Sequence, residues 1–403
     1  MLISSGQPSA NPRAVKEALL LSQKNFDVTF IYCPLSPWAD EFDKQLFAEN
    51  ASITWISTGY HPLKNKIGYL FARLRKKYWE FIKKYAQNKF DNNIKSSVLF
   101  SQELLQEALK HKADLYIGHN LGAIAAVVKA AKKYKAKAGF DAEDFHRGEF
   151  RDVDIQKKIT ASIENKYFPL LDYCTVASPL IGEAYKRIFP DKAFTVINNV
   201  FSKKYLREGK SIIEKKSMDL FWFSQFIGPK RGLETVLLAL NECKDLEIKL
   251  HLLGNINETY KTFILETVND KTKIIFLPPT SSEEIFTIGS QFDIGLATEL
   301  PETPNREYCL TNKIFTYLLS GNAILFSDTK AQSKFFNSYS GSGLLYESEN
   351  VFELAAKFKQ LYNDRLLLHK MKENALALAQ NELNWEKEGE TFIDLVKNTL
   401  SNN

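Results

Sequence analysis

Short β-like runs alternate with helical patterns along almost the whole chain, and this alternation restricts the fold more than any other feature. It is typical of parallel sheets built from strand–helix–strand units. The first half contains seven candidate strands, at 2–5, 28–33, 53–57, 115–118, 138–141, 174–177 and 195–197. The second half contains six, at 220–223, 248–253, 274–276, 294–297, 323–326 and 343–346. We therefore predict an α/β fold made of doubly wound sheets, with helices from Val351 to the end.

The length of the chain predicts more than one domain, because 403 residues exceed what a single hydrophobic core usually organises. The stretch 202–216 is rich in Lys, Ser and Glu and has little apolar periodicity, so we interpret it as a linker. The predicted domains are residues 1–205 and 206–383, with a helix at 384–403 that packs back on the first domain. Two such domains are expected to place their strand ends across a cleft, where a ligand would bind.

Cysteine usage and hydropathy predict a protein of the reducing cytosol. The four cysteines are far apart and form no Cys-x-x-Cys pair, so neither a zinc site nor a disulfide framework is indicated. The chain begins with a strand-like run and shows no signal-peptide pattern. No apolar run is long enough to span a bilayer.

Charge is distributed unevenly between the two halves. Residues 1–205 hold 31 Lys and Arg against 21 Asp and Glu, whereas residues 206–403 hold 22 against 27. The segment 60–90 alone has nine basic residues and one acid, with aromatic residues between them. Such a segment is typical of an element that lies on an anionic membrane surface. A solvated face over a buried aromatic stripe is the alternative, and nucleic acid is a weaker option because no recognition motif accompanies the charge.

Two segments of the second half have the composition of phosphate-binding loops. Ser224–Glu234 and Thr311–Gly321 each follow a strand-like run and open a helix-like one. Helix N-termini offer backbone N–H groups to an anion, and Lys230, Arg231 and Lys313 add positive charge. The pair predicts a site for a nucleoside diphosphate, although a solvated helix start would also explain Lys230 and Arg231 taken alone.

The first half has three polar segments at predicted strand ends. Gly6 lies between the first strand and a helix, but the segment lacks the Gly-x-Gly-x-x-Gly pattern of a dinucleotide site. His119 ends another strand, where it could hydrogen-bond a sugar hydroxyl or be a structural residue satisfied by the backbone. After a third strand come the following polar residues: Asp141, Glu143, Asp144 and His146. We interpret these as the rim of a sugar site rather than a metal site, or as acids that favour a helix N-terminus.

Taken together, these residues make the chain resemble a GT-B fold glycosyltransferase of the glycosyltransferase family 4 kind over nearly its whole length. The resemblance rests on the Gly6 loop, the strand-end His119, the Arg231-Gly232-Leu233-Glu234 helix start and the run from Asn312-Lys313 to Ser327-Asp328. It implies two Rossmann-like domains, of which the first binds the acceptor and the second binds a nucleotide-sugar donor. It also implies retention of the anomeric configuration without a metal.

The resemblance assigns expected roles to individual residues. Arg231 matches the cation that contacts the donor diphosphate, and His119 matches the histidine near the transferred sugar. The residues expected to take part in the reaction are His119, Arg231 and Glu299. Those expected around the donor are Gly6, Gln225, Lys230, Arg231, Glu307, Thr311, Asn312, Lys313 and Thr316. The acceptor side is expected at Asp141, Glu143, Asp144 and His146.

The chain departs from the family pattern at three positions. Gln225 stands where the family has its first donor cation, and the family's two glutamates, spaced eight apart, fall on Tyr308 and Thr316. Glu299 or Glu307 would substitute for the first glutamate, and the Thr316 hydroxyl is expected to meet the ribose.

The function implied by this resemblance is transfer of a sugar from a nucleoside-diphosphate sugar to a carbohydrate or lipid-linked acceptor, in cell-surface polysaccharide or glycoconjugate synthesis. No cofactor or metal and no nucleic-acid partner is expected. The implied location is cytoplasmic, peripheral at the inner face of the membrane. The alternatives are a GT-B-fold sugar-nucleotide epimerase and a non-catalytic sugar-nucleotide-binding protein.

Overall fold

The computed structural model describes residues 1–85, 92–151, 154–207, 216–281 and 283–401. The chain divides into two compact units. The first comprises Met1–Ile197 together with Gly389–Asn403, and the second comprises Asn198–Glu388. The predicted linker at 202–216 therefore begins inside the second unit, and its residues 208–215 lie outside the described part of the chain.

The first unit contains a seven-stranded parallel sheet with the strand order β3-β2-β1-β4-β5-β6-β7. Its strands are β1 (Leu2–Ser4), β2 (Thr29–Tyr32), β3 (Thr54–Ser57), β4 (Leu115–His119), β5 (Lys137–Ala142), β6 (Tyr173–Val176) and β7 (Phe194–Val196). All seven predicted strands are confirmed to within one residue at each end.

Helices surround this sheet, and local sequence explains where several of them begin and end. They are α1 (Pro12–Gln23), α2 (Asp40–Glu49), α3 (Lys66–Tyr85), α4 (Asn92–Ser97), α5 (Ser101–Ala108), α6 (Ile124–Tyr134), α7 (Ile155–Tyr167) and α8 (Pro179–Ile188). At the start of α1 the Asn11 side chain accepts a hydrogen bond from the N–H of Ala14, and Pro12 occupies the first position. Helix α7 ends at Tyr167, because Pro169 has no N–H with which to continue the ladder and 168–170 form a 3-10 turn.

The second unit contains a six-stranded parallel sheet with the order β10-β9-β8-β11-β12-β13. Its strands are β8 (Met218–Ile227), β9 (Ile248–Ile256), β10 (Ile274–Leu277), β11 (Ile294–Ala297), β12 (Ala323–Ser327) and β13 (Gly343–Tyr346). Its helices are α9 (Leu233–Asn241), α10 (Glu258–Thr267), α11 (Glu284–Gly289), α12 (Pro304–Tyr308), α13 (Asn312–Leu319), α14 (Lys330–Ser338), α15 (Val351–Asn363) and α16 (Arg365–Asn381), and α17 (Trp385–Ser401) begins in this unit. Helix α17 runs on into the first unit.

Strands β8 and β9 are longer than predicted. The expected ends at Phe223 and Leu253 are wrong, because the two strands pair again at Phe226 and Ile227 after an irregularity in register. Gly254 allows this close pairing, since its φ is 143° and a Cβ there would lie 1.9 Å from the carbonyl oxygen of Ser224. Ser224 and Gln225 therefore belong to a strand rather than to a loop.

The strand order places one topological switch point in each unit. In the first sheet β1 lies between β2 and β4, and in the second β8 lies between β9 and β11, so the connections leave these central strands in opposite directions. In such sheets ligands bind at the carboxyl ends of the strands beside the switch point. The loops after β1 and β4, and those after β8 and β11, are therefore where function is expected.

No helix in the described ranges is both long enough and apolar enough to cross a membrane.

Candidate functional site

The loops after β8 and β11 are in close contact at the switch point of the second unit. The hydroxyl of Thr298, which directly follows β11, donates a 2.8 Å hydrogen bond to the carbonyl oxygen of Arg231. Gly232 has a φ of 75°, and a Cβ there would lie 2.5 Å from the carbonyl oxygen of Thr298. A larger residue at 232 would push the loops apart, so the glycine is required for the cation-bearing loop to approach β11 this closely.

Glu299 connects this loop to the start of α13. Its carboxylate accepts a 2.8 Å hydrogen bond from the Lys313 ammonium, and both side chains are only 7% exposed. The Arg306 guanidinium lies 3.7 Å from the other carboxylate oxygen. Burial alone would raise the pKa of Glu299, but Lys313, Arg231 and Arg306 outweigh it and lower the pKa below its usual value. Three cations therefore gather around one ionised acid, which leaves positive charge for an anionic ligand.

Lys230 and Arg231 differ in their surroundings. Lys230 is exposed, its ammonium lies 3.3 Å from Glu302, and its φ of 62° is unusual for a residue with a side chain. Arg231 is half-buried and close enough to Glu299 to act on its pKa. Strained backbone of this kind is concentrated at binding sites, which supports a ligand role for the loop.

The start of α13 offers the second predicted anion site. Thr311 is the N-cap residue, but its hydroxyl makes no capping bond and is buried with no hydrogen-bond partner among the described residues. Asn312 is exposed beside it. Unused capping groups at a helix N-terminus suit a phosphate oxygen, which accepts hydrogen bonds from backbone N–H groups and a hydroxyl.

Two residues predicted to bind the donor have partners within the protein, and a third is exposed. Glu307 accepts a hydrogen bond from the backbone N–H of Lys330, at the first residue of α14. Thr316 is buried, and its hydroxyl donates to the carbonyl oxygen of Asn312 within α13. Gln225 is exposed on β8. The structure thus brings Arg231, Glu299 and Lys313 together. It does not join Glu307, Thr316 or Gln225 to them by a side-chain hydrogen bond or ion pair.

Polar residues at paired positions of neighbouring strands line the switch point of the first unit. Ser4 of β1 lies beside His119 of β4, which lies beside Asp141 of β5. The Ser4 hydroxyl donates to the Asn120 side chain at 3.2 Å and accepts from the N–H of Gly6. A Cβ at Gly6 would meet nothing within 4 Å, so the backbone there faces open space. Asn120, with φ 63° and ψ 142°, is a second strained residue at a strand end.

His119 is part of a buried charge network. Its side chain is 1% exposed, with Nε2 3.0 Å from the Glu17 carboxylate and Nδ1 3.6 Å from Asp141. Burial lowers the pKa of His119, but the two carboxylates outweigh this and raise it to about 10. The imidazolium is therefore expected to act as a fixed positive charge, and it does not present an exposed ring to a ligand in this structure.

Arg13 completes this network, and neither Arg13 nor Glu17 was predicted from the sequence. The Arg13 guanidinium donates two hydrogen bonds to Asp141, at 2.6 and 2.8 Å, and one to the carbonyl oxygen of Ile197. The Asp141 pKa lies far below its usual range; burial would raise it, and Arg13 and His119 lower it. Arg13 and Glu17 are four residues apart in α1, and this i, i+4 pair of opposite charges was the signal available in the sequence.

The Glu17, His119 and Asp141 ligand atoms all lie within 4.8 Å of one another, which is close enough to hold a metal ion. However, both Asp141 oxygens already accept hydrogen bonds from Arg13, and one also accepts from Thr175. The negative charges of the Glu17 and Asp141 carboxylates are balanced by the positive charges of the Arg13 guanidinium and the His119 imidazolium. We therefore assign the cluster to ion pairing rather than to metal binding.

Glu143 and His146, two further residues predicted on the acceptor side, differ in their surroundings. Glu143 is half-buried near Asn120, with 3.5 Å between its carboxylate and the Asn120 amide nitrogen, and burial together with Asp141 and Asp144 raises its pKa to about 7. Such a carboxyl group exchanges protons near neutral pH. His146 is buried and paired with Glu149 at 2.8 Å; burial lowers its pKa, but Glu149 raises it to about 9. Glu143 thus lies at the switch point, whereas His146 has a partner within the protein.

No protein-family model matches this sequence, and no curated protein matches it. Solved structures do match it over its whole length. Sucrose-phosphate synthase from Thermosynechococcus elongatus has a TM-score of 0.73 at 13% identity, with 100% of each chain covered. HepE from Anabaena in complex with UDP has a TM-score of 0.68 at 14% identity, covering 98% of this chain and 99% of that one. A glycosyltransferase from Rickettsia africae has a TM-score of 0.67 at 14% identity, covering 100% and 99%. The likeness, together with the two parallel-sheet units, confirms the predicted GT-B fold.

Proposed function

We propose that the chain is a glycosyltransferase that moves a sugar from a nucleoside-diphosphate donor to a carbohydrate or lipid-linked acceptor. The observation that carries the proposal is the meeting of Arg231, Glu299 and Lys313 at the switch point of the second unit. HepE, which has the same fold, is described in complex with UDP. A uridine diphosphate sugar is therefore the first donor to test.

The second unit would stabilise the leaving diphosphate. When the bond between the anomeric carbon and the diphosphate oxygen breaks, negative charge develops on that oxygen. Arg231 and the N-terminus of α13 are suited to receive it, because preorganised cations and N–H groups stabilise developing charge without reorganising. Lys313 is held by Glu299, so we assign it the role of fixing this arrangement.

The first unit would hold the acceptor, and we propose that the reaction retains the anomeric configuration, as the resemblance to glycosyltransferase family 4 implies. The acceptor oxygen would bond to the anomeric carbon on the face that the diphosphate leaves, and its proton would pass to the departing phosphate oxygen. Glu143 and the open backbone at Gly6 lie at the switch point where a sugar would be positioned. His119 would contribute its buried positive charge.

We also propose that no metal takes part, because the cations at the switch point supply the positive charge that a divalent ion provides elsewhere. The wider role we propose is synthesis of a cell-surface polysaccharide or glycoconjugate. The proposed location is cytoplasmic, with the enzyme peripheral at the inner face of the membrane.

Arg231→Ala tests the proposal most directly. Loss of a cation that contacts developing charge should lower turnover by about 100-fold or more. Turnover is measured as nucleoside diphosphate released from the sugar nucleotide in the presence of acceptor. Binding of UDP, GDP and ADP is measured by thermal shift, since a ligand that binds only the folded state stabilises it. The variant should lose the shift that the wild type shows.

Lys249→Ala is the matched control. Lys249 is an exposed cation at the second residue of β9, at the amino end of the same sheet, so its loss should leave turnover unchanged. Undiminished sugar transfer by Arg231→Ala would refute the assignment. Conversion of the sugar nucleotide to an isomer without any acceptor would instead identify an epimerase.

A further inference from the structure

Helix α3 exposes an apolar stripe that nothing in the proposed chemistry requires. Its members are Ile67, Leu70, Phe71, Leu74 and Tyr78, which are between 57% and 86% exposed. Their spacing is i, i+3, i+4, i+7 and i+11, so they lie on one face of the helix. In a helix of a globular protein the apolar face normally packs on the core, and here it faces outward.

A different face of α3 packs on the protein. Ala72 is completely buried, and the Arg75 guanidinium pairs with Glu103 of α5 at 2.7 Å. These residues fall between the members of the apolar stripe in the sequence, and helical geometry places them on another side. The exposed stripe is therefore not the packing face of a loosely docked helix.

Cations border the stripe along one edge. Lys66, Arg73 and Lys77 are all exposed and are spaced seven and four residues apart, so they form a row beside the apolar face. Glu80 is the acid of this helix, and it lies 3.8 Å from Lys76. An apolar face bordered by cations is complementary to a surface with acyl chains beneath anionic headgroups.

The apolar surface continues beyond α3. Trp38, in the turn before α2, and Phe42, in the first turn of α2, are about half exposed with ring centroids 6.3 Å apart. Leu63 is exposed in the loop before α3. Asp40, between the two aromatic residues, pairs with Lys64 at 2.6 Å and so fixes that loop beside α2. Tryptophan favours the interface between headgroups and acyl chains.

This surface adjoins the carboxyl edge of the first sheet. The loop before α3 follows the carboxyl end of β3, and the Gln7 amide, next to Gly6, donates to Asp40 at 3.2 Å. The parallel strands β1, β3 and β4 all end at this edge. The apolar surface therefore begins close to where the proposed acceptor would bind.

We propose that α3, with Trp38, Phe42 and Leu63, inserts into an anionic lipid surface and brings the first unit to a lipid-linked acceptor. This inference rests on the proposed function only for the identity of the acceptor, since the insertion surface is defined by exposure and charge. The apolar side chains enter the acyl boundary while Lys66, Arg73 and Lys77 stay among the headgroups.

Vesicle flotation tests the insertion surface. The full-length protein should float with vesicles of phosphatidylcholine and phosphatidylglycerol and remain unbound with phosphatidylcholine alone. Leu70→Gln combined with Leu74→Gln keeps helix-forming residues and should weaken partition about 100-fold. Lys66→Gln, Arg73→Gln and Lys77→Gln together should weaken it by a similar factor, roughly 100-fold.

Matched variants control for general effects of lost hydrophobicity or charge. Leu170→Gln with Leu366→Gln removes two leucines of similar exposure that lie outside α3. Lys24→Gln, Lys112→Gln and Lys132→Gln together remove three exposed cations elsewhere on the first unit. Both control variants should float like the wild type. Circular dichroism and the melting temperature without nucleotide verify that every variant is folded.

Three results would overturn the inference. The wild type could fail to float with anionic vesicles, or the α3 variants could float as well as the controls. A dimer detected by light scattering and abolished by Leu70→Gln with Leu74→Gln would identify the face as a contact between copies. Thermal shift with UDP, read on the same preparations without lipid, tests the donor site separately, so flotation without a nucleotide shift would refute the proposed function alone.

Discussion

Replacing His119 with Gln should destabilise the first unit in a way that depends on pH. The folded state raises the pKa of His119 from 6.5 to about 10 because Glu17 and Asp141 face its two ring nitrogens. A group whose pKa is raised on folding stabilises the fold fully below its unfolded pKa. That stabilisation is lost as the pH rises through the folded pKa. The relevant window is therefore pH 6.5 to 10.

The size of the effect follows from the same shift. A rise from 6.5 to about 10 corresponds to about 4–5 kcal/mol of stability at pH 6. Removing one partner of a buried ion pair typically costs about 3–5 kcal/mol, which agrees. At pH 10 half of the wild-type imidazolium has lost its proton, so the difference between His119→Gln and the wild type should fall below about 1 kcal/mol.

Urea denaturation read by hydrogen exchange in peptides that cover β4 and β5 reports the stability of the first unit. Groups that do not interact with His119 titrate alike in both proteins and cancel in the difference. His111→Gln is the control, because His111 is about one-third exposed and its ion pair with Glu107 is worth less than about 1 kcal/mol. A difference between His119→Gln and the wild type that is equal at pH 6 and pH 10, or larger at pH 10, would refute the ion-pair interpretation.

Three further predictions concern the second unit and the acceptor side. Lys313→Met should cost about 3–5 kcal/mol of unfolding free energy by leaving Glu299 buried without its 2.8 Å partner, measured by urea denaturation. Gly254→Ala should destabilise the second unit by more than about 2 kcal/mol, because the new Cβ meets the Ser224 carbonyl oxygen at 1.9 Å. Gly228→Ala, with nothing within 4 Å, is its control and should change stability by less than about 1 kcal/mol. Glu143→Gln should remove from the pH–rate profile any limb with an apparent pKa of about 7, and a profile identical to the wild type would exclude proton exchange by Glu143 from the rate.

The candidate donor site was only partly predictable. Local motifs identified the segments around Arg231 and Lys313, because helix starts, glycines and cations are visible in a short window of sequence. They did not predict that Lys313 would be buried against Glu299. The two residues are fourteen positions apart, and they meet only because α13 packs on the sheet. They also assigned Gln225 to a loop, whereas the pairing of β8 with β9 places it in a strand.

Family resemblance had a similar limit on the acceptor side. It predicted His119 as a residue near the transferred sugar, and the structure places its ring between Glu17 and Asp141 with a side-chain exposure of 1%. Glu17 lies in α1, more than one hundred residues before His119. A single sequence does not show that either residue pairs with His119, because these contacts depend on how α1, β4 and β5 pack together.

By itself, the sequence determined the alternation of strands and helices and therefore the α/β class, because periodicity and turn residues are local properties of the chain. It also determined where the cation-bearing loops follow strands. Only the tertiary structure decided which of those residues meet, which carboxylates are ionised inside the protein, and that the apolar face of α3 points outward. Burial, contact and pKa are properties of residues brought together from distant parts of the chain, so they exist only once the sheets are assembled.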